Sequence, residues 1–301
     1  MQEPNIESDI SLNLKWLHQA QFAGNYVAKE LGYYQDAGLN VTIYEGGVDR
    51  PSIDLVLSGE VDFGIAGADD LIVAVNQEKP VKAIAVIYKL SPVVYFSLSE
   101  SNITSPYNFS GHIMGVKHGT GTTYSYIAML GTLGINRSDI SEVSVGYDLE
   151  LLYNKTVDIW PGFRINEPHL AELAGYQVNL VKPEDWGVVM YADVLFTTVD
   201  MIENHIDVVQ GLVTATLKGW SYAMEYQEET IDIVMDYVSD ADRGHQEYML
   251  EESIPLIHTG SSKLGLIEEE VITSMIDILI LNEVIDESPS PEDVFTNVFI
   301  S

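Results

Sequence analysis

The stretch LKWLHQAQFAGNYVAKELGYYQDAGLNVTIYEGG, residues 14–47, places a helical pattern between two strand patterns. LNLKWL (12–17) has the apolar residues of a buried strand, FAGNYVAKELGYYQDAG (22–38) those of one helix face, and LNVTIYEGG (39–47) those of a second strand. A helix between two buried strands is the βαβ unit of a parallel sheet. The polar turn after the first strand therefore lies at a carboxyl end, where open α/β sheets bind ligands.

The same alternation of strand and helix recurs along the chain. It runs through residues 51–88 and begins again at residue 112, after a loop rich in Ser, Asn, Pro and Gly at 99–111. From residue 201 onward the pattern is mostly helical.

This organisation predicts an α/β protein of two lobes, each a mainly parallel sheet flanked by helices, with a ligand cleft between the lobes. We expect the first lobe to comprise residues 11–97 and 198–301, the second residues 98–197, and residues 1–10 to be a disordered N-terminal remnant. Two lobes joined by crossing segments can close about a hinge.

The composition narrows the range of binding partners that the protein is expected to have. The 301 residues include 46 acidic and 14 basic side chains, which give a formal charge of −32. Such a field repels phosphate backbones and anionic lipid headgroups, so neither nucleic acid nor a membrane surface is an expected partner. The acidity is compatible with adaptation to salt, with work outside the cell, or with solubility alone.

The sequence offers no catalytic set. It has no Cys, which excludes disulfides, thiolate metal ligands and cysteine nucleophiles. The seven His residues lack metal-binding spacing, and neither H-E-x-x-H nor G-x-S-x-G occurs. We therefore predict no metal, no cofactor and no catalytic residue.

The hydropathy pattern bears on localisation. No apolar run reaches the roughly 20 residues of a membrane-spanning helix. The start, MQEPNIESDIS (1–11), lacks the positive charge and the apolar stretch of a signal peptide. We expect either a cytosolic protein or a mature form whose export or anchor segment has been removed.

Several longer stretches resemble a known family. They are WLHQAQFAGNYVAKELGYYQDAGLNVTI (16–43), LSGEVDFGIAGADDL (57–71), GVKHGTGTTYSYIAMLGTLG (115–134), FRINEPHLAELAGYQVNLV (163–181) and EDVFTNVFI (292–300). They resemble the solute-binding proteins of ABC importers, and most closely the branch that carries pyrimidine precursors of thiamine and related vitamin precursors. Binders of sulfonate, nitrate, pyrimidine and flavin-type ligands share these stretches. The resemblance implies a type II periplasmic-binding-protein fold with crossovers near residues 98 and 195.

The resemblance also implies a mode of action. Lobe closure captures the ligand, and ABC permease and ATPase subunits receive it. The protein is then extracytoplasmic, lipid-anchored in its full-length form, and monomeric. A fungal branch of the family makes the thiamine pyrimidine by consuming its own active-site histidine, with a cysteine-rich motif and iron, and a chain without Cys lacks that motif.

The turn after the first strand carries side chains suited to a flat ring. Trp16 can stack on such a ring, while Gln19 and Gln21 each present a donor and an acceptor that match the edge of a neutral heterocycle. The alternative is that Trp16 packs between the lobes and the glutamines cap the helix.

Two more strand ends of the first lobe carry candidates. Asp69 and Asp70 follow the third strand; one is expected to cap the next helix, and the other to accept a hydrogen bond from an exocyclic amine, for which we choose Asp69. Tyr88 follows the fourth strand, with Ser91 at the same rim, and is a candidate for stacking. A half-buried strand-end tyrosine is the alternative.

In the second lobe, KHGTGTTYS (117–125) brings Gly119, Thr120, Gly121 and Thr122 to the start of a helix. Exposed N–H groups there attract an anion or a carbonyl oxygen, and Gly permits close approach. A plain helix cap is the alternative.

The segment DIWPGFRINEPH (158–169) is the other dense cluster. Trp160 supplies aromatic area, Asn166 an amide, and Glu167 a carboxylate suited to an aminopyrimidine ring. A pair between Arg164 and Glu167 is the alternative to ligand contact.

Trp186 and Tyr191, near the return crossover that the resemblance implies, could close over a ring. The sequence thus predicts a binder of a small planar nitrogen heterocycle, with a thiamine pyrimidine precursor as the first candidate and a flavin precursor as the second. The alternatives are an enzyme of pyrimidine biosynthesis with His18 as its catalytic histidine, a sulfonate or nitrate binder, which the scarcity of Arg disfavours, and a sensory domain.

Overall fold

The computed structural model describes residues 8–239, 241–260 and 262–300. Its strands build a five-stranded sheet in the first lobe, and a three-stranded and a two-stranded sheet, joined by one bridge, in the second. They are β1 (Ser8–Asn13), β2 (Leu39–Tyr44), β3 (Phe63–Gly67), β4 (Val81–Val86), β5 (Val93–Leu98), β6 (Ile113–Val116), β7 (Ser141–Ser144), β8 (Trp160–Phe163), β9 (Val178–Val181) and β10 (Asp193–Thr198).

Helices flank both sheets, as the alternating patterns predict; α3 and α4 pack on the first sheet and α5 on the second. The helices are α1 (Ala23–Glu30), α2 (Tyr33–Asp36), α3 (Ser52–Ser58), α4 (Ala68–Asn76), α5 (Gly121–Leu133), α6 (Glu150–Tyr153), α7 (Glu167–Leu173), α8 (Val199–Asn204), α9 (Ile206–Glu225), α10 (Gln227–Tyr237), α11 (Arg243–Ile257), α12 (Glu269–Leu281) and α13 (Pro291–Val294).

The sheet of the first lobe has the strand order β2-β1-β3-β10-β4. β1 is parallel to β2 and β3, whereas β10 is antiparallel to β3 and β4. The first residue of β10, Asp193, pairs with the last residue of β3, Gly67. β10 is reversed because the chain returns from the other lobe and enters this sheet at its cleft edge.

The second lobe repeats this arrangement. β6 and β7 are parallel, β5 is antiparallel to β8 and β9, and a parallel bridge between Met114 and Ile159 joins the two groups. Val93, which begins β5, pairs with Phe163 at the end of β8, so the incoming strand again starts at the cleft edge. Each sheet is mainly parallel with one reversed strand, and the predicted fold class is confirmed.

Both chain crossings lie earlier than the predicted lobe boundaries. Residues 87–92 connect β4 to β5, and residues 182–192 connect β9 to β10. β5 therefore pairs in the sheet of the second lobe, and β10 pairs in the sheet of the first. The predicted boundaries at 98 and 198 instead assign most of β5 to the first lobe and most of β10 to the second. An apolar strand suits either sheet, and only its pairing partners decide between them. The lobe limits remain a proposal, with crossings at these two segments.

The start of the first sheet also differs from the expectation. Residues 1–7 of the predicted N-terminal remnant lie outside the described residues, but residues 8–10 belong to β1, where Ser8 pairs with Leu39. The strand ends at Asn13, so LKWL (14–17) lies in the turn that follows it. This shift places Lys15 and Trp16 at the sheet edge.

The core of the first lobe lies between its sheet and the C-terminal helices. α1 packs along α9, where Gly24 and Gly219 allow close approach and Trp220 is buried. Among the residues that the structure describes, none of the helices combines the length and hydrophobicity needed to cross a membrane.

Candidate ligand-binding cleft

A cleft of about 200 Å³ opens between the lobes at the carboxyl ends of β1 and β3. The first lobe contributes to its lining Lys15, Trp16, Gln19, Gln21, Asp69 and Asp70. The second lobe and the two crossings contribute Ser91, Val93, Lys117, Thr120, Gly121, Thr122, Ser125, Tyr147, Gly162, Phe163, Asn166, Glu167, Met190, Tyr191 and Ala192.

Most of the predicted site residues meet at this cleft. They are Trp16, Gln19, Gln21, Asp69, Thr120, Gly121, Thr122, Asn166, Glu167 and Tyr191. Strand-end positions that are far apart in sequence are thus brought together, because the two sheets direct their parallel strands toward the same gap. Ligand contact by these residues remains a prediction.

The other predicted residues lie elsewhere. Tyr88 is fully buried beneath α11, and Trp160 is fully buried in the core of the second lobe because it begins β8 instead of following it. The ring of Trp186 packs edge-on against Tyr107, at 5.8 Å between centroids. Gly119 is exposed beside the cleft, with a φ of +72° that suits a glycine in the turn before α5.

A chain of hydrogen bonds fixes the turn after β1. The Gln19 side chain donates to Gln21 Oε1 at 2.6 Å, and Gln21 donates in turn to Asp193 Oδ2 at 2.6 Å. The Lys15 ammonium pairs with Asp193 Oδ1 at 3.1 Å. Burial alone would lower the pKa of Lys15, but Asp193 and the nearby Asp69 and Asp70 raise it above its usual value. Gln21 is thus a structural link, and Gln19 is the glutamine that can still offer an acceptor to a ligand.

Two carboxylates stand at the start of α4. Asp69 is 6% exposed, and its Oδ2 atom has no hydrogen-bond partner among the described residues. Asp70 is exposed to the cleft. Burial raises the pKa of Asp69, while Lys15 and the backbone N–H groups at the helix start oppose the shift. For Asp70, the loss of hydration between the walls of the cleft comes first and the charge of Asp69 second, and together they raise the pKa to about 7.

This raised pKa makes stability depend on pH. A carboxyl that binds its proton more tightly when folded destabilises the native state as pH rises from about 4 to 7, and the loss is complete above pH 7. We therefore expect Asp70→Asn to raise the melting temperature of the ligand-free protein more at pH 8 than at pH 4.5. Water in the cleft screens the charges, so the effect is smaller than that of a fully buried pair.

The control for this measurement is Asp277→Asn. Asp277 is exposed on α12, outside the cleft lining, and its replacement removes one charge of the same sign. Equal shifts for the two variants at both pH values would contradict the assignment to Asp70.

The second lobe presents the start of α5 to the cleft. Thr120 precedes the helix and donates from Oγ1 to the Lys117 carbonyl at 2.6 Å. A Cβ atom on Gly121 would lie 2.5 Å from Asp69 Oδ2, so a glycine here lets the two lobes approach each other. This is the close approach that the sequence predicts for Gly, although the contacting group is a carboxylate of the other lobe.

Glu167 is held from two sides. Its Oε1 atom lies 3.3 Å from the Lys117 ammonium, and its Oε2 atom accepts a hydrogen bond from the Phe163 N–H at 2.8 Å. Arg164 pairs instead with Glu184. The alternative pair between Arg164 and Glu167 is therefore not formed, because the two side chains leave the β8–α7 turn in different directions.

Aromatic rings stand on both sides of the opening. Trp16 of the first lobe and Tyr147 of the second lie 5.0 Å apart between ring centroids, at an interplanar angle of 46°. The Lys15 ammonium lies over Phe163, at 5.4 Å from the ring centroid, and Lys117 over Tyr147 at 4.7 Å. At 5.0 Å, Trp16 and Tyr147 contact each other, so a flat ligand would stack against them once the lobes open and the two rings separate.

Sequence reasoning missed Lys15, Lys117 and Tyr147. Each of them follows the carboxyl end of a strand, as Trp16 and Thr120 do. The rule that ligands bind at the carboxyl ends of strands, the strand-end rule, could therefore have found them. A lysine or a tyrosine at such a position is ordinary in sequence, and its meaning depends on partners far along the chain. Within the described parts of the chain, no group of three His, Asp or Glu side chains is placed to hold a metal ion.

Two α/β lobes, two crossings and a cleft at the carboxyl ends of the strands define a periplasmic-binding-protein fold. A solved structure of this fold, the periplasmic aliphatic sulphonate-binding protein SsuA of Escherichia coli, superposes with a TM-score of 0.78 at 14% identity, over 97% of this chain and 93% of its own. At this identity the likeness shows the fold alone.

Sequence comparison gives the family. The pattern of the family described as NMT1/THI5 like matches residues 19–230. The chain belongs to the NMT1/THI5-like family, and the resemblance drawn from its sequence is confirmed at that level.

Among three relatives of known name, two are named as binding proteins and one as an enzyme. The riboflavin-binding protein RibY of Chloroflexus aurantiacus is 23% identical over 99% of this chain and 87% of its own length. A formylaminopyrimidine-binding protein of Halalkalibacterium halodurans is 22% identical over 96% of this chain and 90% of its own. A 4-amino-5-hydroxymethyl-2-methylpyrimidine phosphate synthase of Legionella pneumophila is 24% identical over 76% of this chain and 74% of its own.

Proposed function

We propose that this protein is the extracytoplasmic solute-binding component of an ABC importer and that it captures a small planar nitrogen heterocycle between its lobes. The observation that carries the proposal is the pair of aromatic rings, Trp16 from one lobe and Tyr147 from the other, that meet at the cleft mouth and would part to admit a flat ligand. Below them lie amide and carboxylate groups that can recognise the edge of a heterocycle. ABC permease and ATPase subunits are the proposed partners.

The charges of the cleft favour such a ring over an anion. Both lysines that line it are paired with carboxylates, Lys15 with Asp193 and Lys117 with Glu167. Asp69 and Asp70 add further negative charge, which repels a sulfonate or a nitrate ion. A thiamine pyrimidine precursor is the first candidate and a flavin precursor the second, in keeping with the names of two relatives.

Contacts between the lobes indicate how closure is held. His169 on α7 and His245 on α11 place their Nδ1 atoms 2.8 Å apart, and His245 Nε2 lies 2.9 Å from Asn166 Oδ1. Tyr248 donates to the Arg164 carbonyl at 3.2 Å. Residues from both lobes therefore meet next to the cleft residue Asn166, as expected of a binder that closes on its ligand.

Binding fits the lining of this cleft better than catalysis does. No histidine is among the described residues that line it. His18, the sequence candidate for a catalytic histidine, lies outside the cleft, with its Nδ1 atom 3.0 Å from the Tyr26 hydroxyl and its ring against Tyr237. A family relative named as a synthase keeps an enzyme as the competing class.

One experiment separates these classes. Native mass spectrometry of the purified protein, followed by thermal-shift titration at low and high salt, would test 4-amino-5-hydroxymethyl-2-methylpyrimidine, its formylamino analogue, riboflavin, taurine and nitrate. Saturable, reversible, one-to-one binding of a heterocycle is the expected result. Binding of taurine or nitrate alone, or a mass change of the protein that shows consumption of one of its own residues, would contradict the proposal.

A matched pair of tryptophan variants tests the site itself. Stacking of a heterocyclic base on an aromatic side chain contributes about 1–3 kcal/mol, so Trp16→Ala should weaken binding of the heterocycle found in that screen about tenfold to a hundredfold. Trp186→Ala should leave the affinity unchanged, because Trp186 packs against Tyr107 outside the cleft lining. Calorimetric titration of both variants checks this prediction, and equal losses for the two would refute the assigned stacking role.

A further inference from the structure

The carboxylates of the cleft outnumber the cations that could neutralise them. Lys15 and Lys117 each have a carboxylate partner, at 3.1 Å and 3.3 Å. Among the residues that the structure describes, neither Asp69 nor Asp70 forms an ion pair. Wherever both carboxylates are ionised, as Asp70 is above about pH 7, the cleft needs positive charge from another source.

Asp69 shows where that charge would go. Its side chain is more than nine-tenths buried and lines the cleft, yet Oδ2 has no hydrogen-bond donor among the described residues. A buried carboxylate oxygen without a donor is costly, and such groups are normally paired. Gly121 of the other lobe covers this oxygen, and a Cβ atom on Gly121 would lie 2.5 Å from it, so a ligand reaches the oxygen only when the lobes separate.

The groups around Asp69 come from several elements. Lys15 follows β1, Asp193 begins β10, Asp70 is the next residue on α4, and Tyr124 lies on α5 of the other lobe. Lys15 alone among them carries positive charge, and its shortest ion pair is with Asp193. Three carboxylates thus share one ammonium, which leaves the region negative whenever all of them are ionised.

We propose that the physiological ligand is a cation: a planar heterocycle that carries an ammonium group, bound with this group between Asp69 and Asp70. The inference rests on the proposed function, because it assigns a charge to the ring that the cleft encloses. An ammonium group supplies N–H donors to the unpartnered oxygen of Asp69, together with the missing charge. A neutral ring would leave one carboxylate oxygen without a donor or require a bound proton.

The test compares two probes of the same shape that differ in charge. 4-Amino-5-aminomethyl-2-methylpyrimidine carries an ammonium group near neutral pH, and 4-amino-5-hydroxymethyl-2-methylpyrimidine carries a hydroxyl in its place. Calorimetric titration of the wild-type protein at pH 7.5 should show that the aminomethyl probe binds at least about tenfold tighter, since hydrogen bonds to charged groups exceed neutral ones by about that factor.

Variants of the cleft carboxylates test whether Asp69 and Asp70 cause the preference for the aminomethyl probe. Asp69→Asn keeps the shape of the side chain and should reduce the preference for the aminomethyl probe at least about fivefold, and Asp70→Asn should reduce it in the same direction. Asp277→Asn, on the surface of α12, should not change it. If Asp69→Asn does not fold, the wild-type comparison and Asp70→Asn still decide the question.

The outcomes separate this inference from the proposed function. Equal affinity for the two probes, or tighter binding of the hydroxymethyl probe, would overturn the cation inference and leave a heterocycle binder in place. Binding of riboflavin with no binding of either pyrimidine would have the same effect. If no heterocycle binds at all, both proposals fail together.

Discussion

Replacing Asp193 with alanine is expected to lower the free energy of unfolding by about 3 kcal/mol, the lower end of the cost of breaking a buried ion pair by removing one partner. Asp193 is 1% exposed and holds two side chains of the β1 turn, Lys15 and Gln21. The lower end applies because the Lys15 side chain is 25% exposed and water can partly solvate its freed charge.

The position of Asp193 links stability to the site. Its carbonyl accepts hydrogen bonds from the N–H groups of Ile87 and Tyr88, at 2.8 Å and 3.2 Å, so the residue joins the two chain crossings. Its side chain then orients the turn that carries Trp16 and Gln19. We expect Asp193→Ala to weaken heterocycle binding as well as folding.

A double-mutant cycle identifies the ion pair as the cause. Urea unfolding of Asp193→Ala, Lys15→Met and the double variant should show that the double variant loses less stability than the sum of the two single losses, by about 1 kcal/mol or more. Asp193→Asn, which keeps an acceptor for Gln21 but removes the charge, should lie between the wild type and Asp193→Ala. Strict additivity in the cycle would show that Lys15 and Asp193 act independently.

Gly219→Ala is expected to cost about 3 kcal/mol or more, because it overpacks a contact between two backbones. A Cβ atom at this position would lie 2.1 Å from the carbonyl oxygen of Gly24 and 2.8 Å from the Cβ of Ala28. Since the first of these is a backbone atom, only separation of α1 from α9 relieves the clash. That separation would disturb the packing of Trp220 between them.

The control is a second glycine in a helix interior. Gly131 is exposed on α5, with no atom within 4 Å of the Cβ that alanine would add. Gly131→Ala should leave stability unchanged or raise it by up to about 1 kcal/mol, since alanine favours the helix. Chemical denaturation of both variants checks the contrast, and a Gly219→Ala protein as stable as Gly131→Ala would show that the helices separate at little cost.

Sequence alone predicts those parts of the fold that depend on residues close together in the chain. The apolar periods of β1, α1 and β2 predict a βαβ unit, and the strand-end rule then places Trp16, Asp69 and Thr120 at one cleft. The family resemblance extended this prediction to the whole chain. These signals depend on residues a few positions apart, so they survive without knowledge of the tertiary structure.

These signals could not predict in which lobe the reversed strands β5 and β10 pair. β5 and β10 have the apolar residues of any buried strand, and only their hydrogen-bonded neighbours show that each belongs to the lobe opposite to the predicted one. Tyr88 and Trp160 lie outside the cleft lining for a related cause. Each is aromatic and near a strand end, but helix packing and strand position bury both.

The sequence by itself determined the two-lobed α/β class, the family, and the strand ends at which polar and aromatic side chains collect. Only the tertiary structure decided which charges neutralise each other: Lys15 with Asp193, 178 positions away, and Lys117 with Glu167, 50 positions away. The apolar period of a segment reflects only how that segment packs on the core, whereas an ion pair at the cleft depends on the distance between atoms of segments far apart in sequence. For that reason the unpaired carboxylates Asp69 and Asp70, on which the proposed charge of the ligand rests, became apparent only once the lobes were assembled.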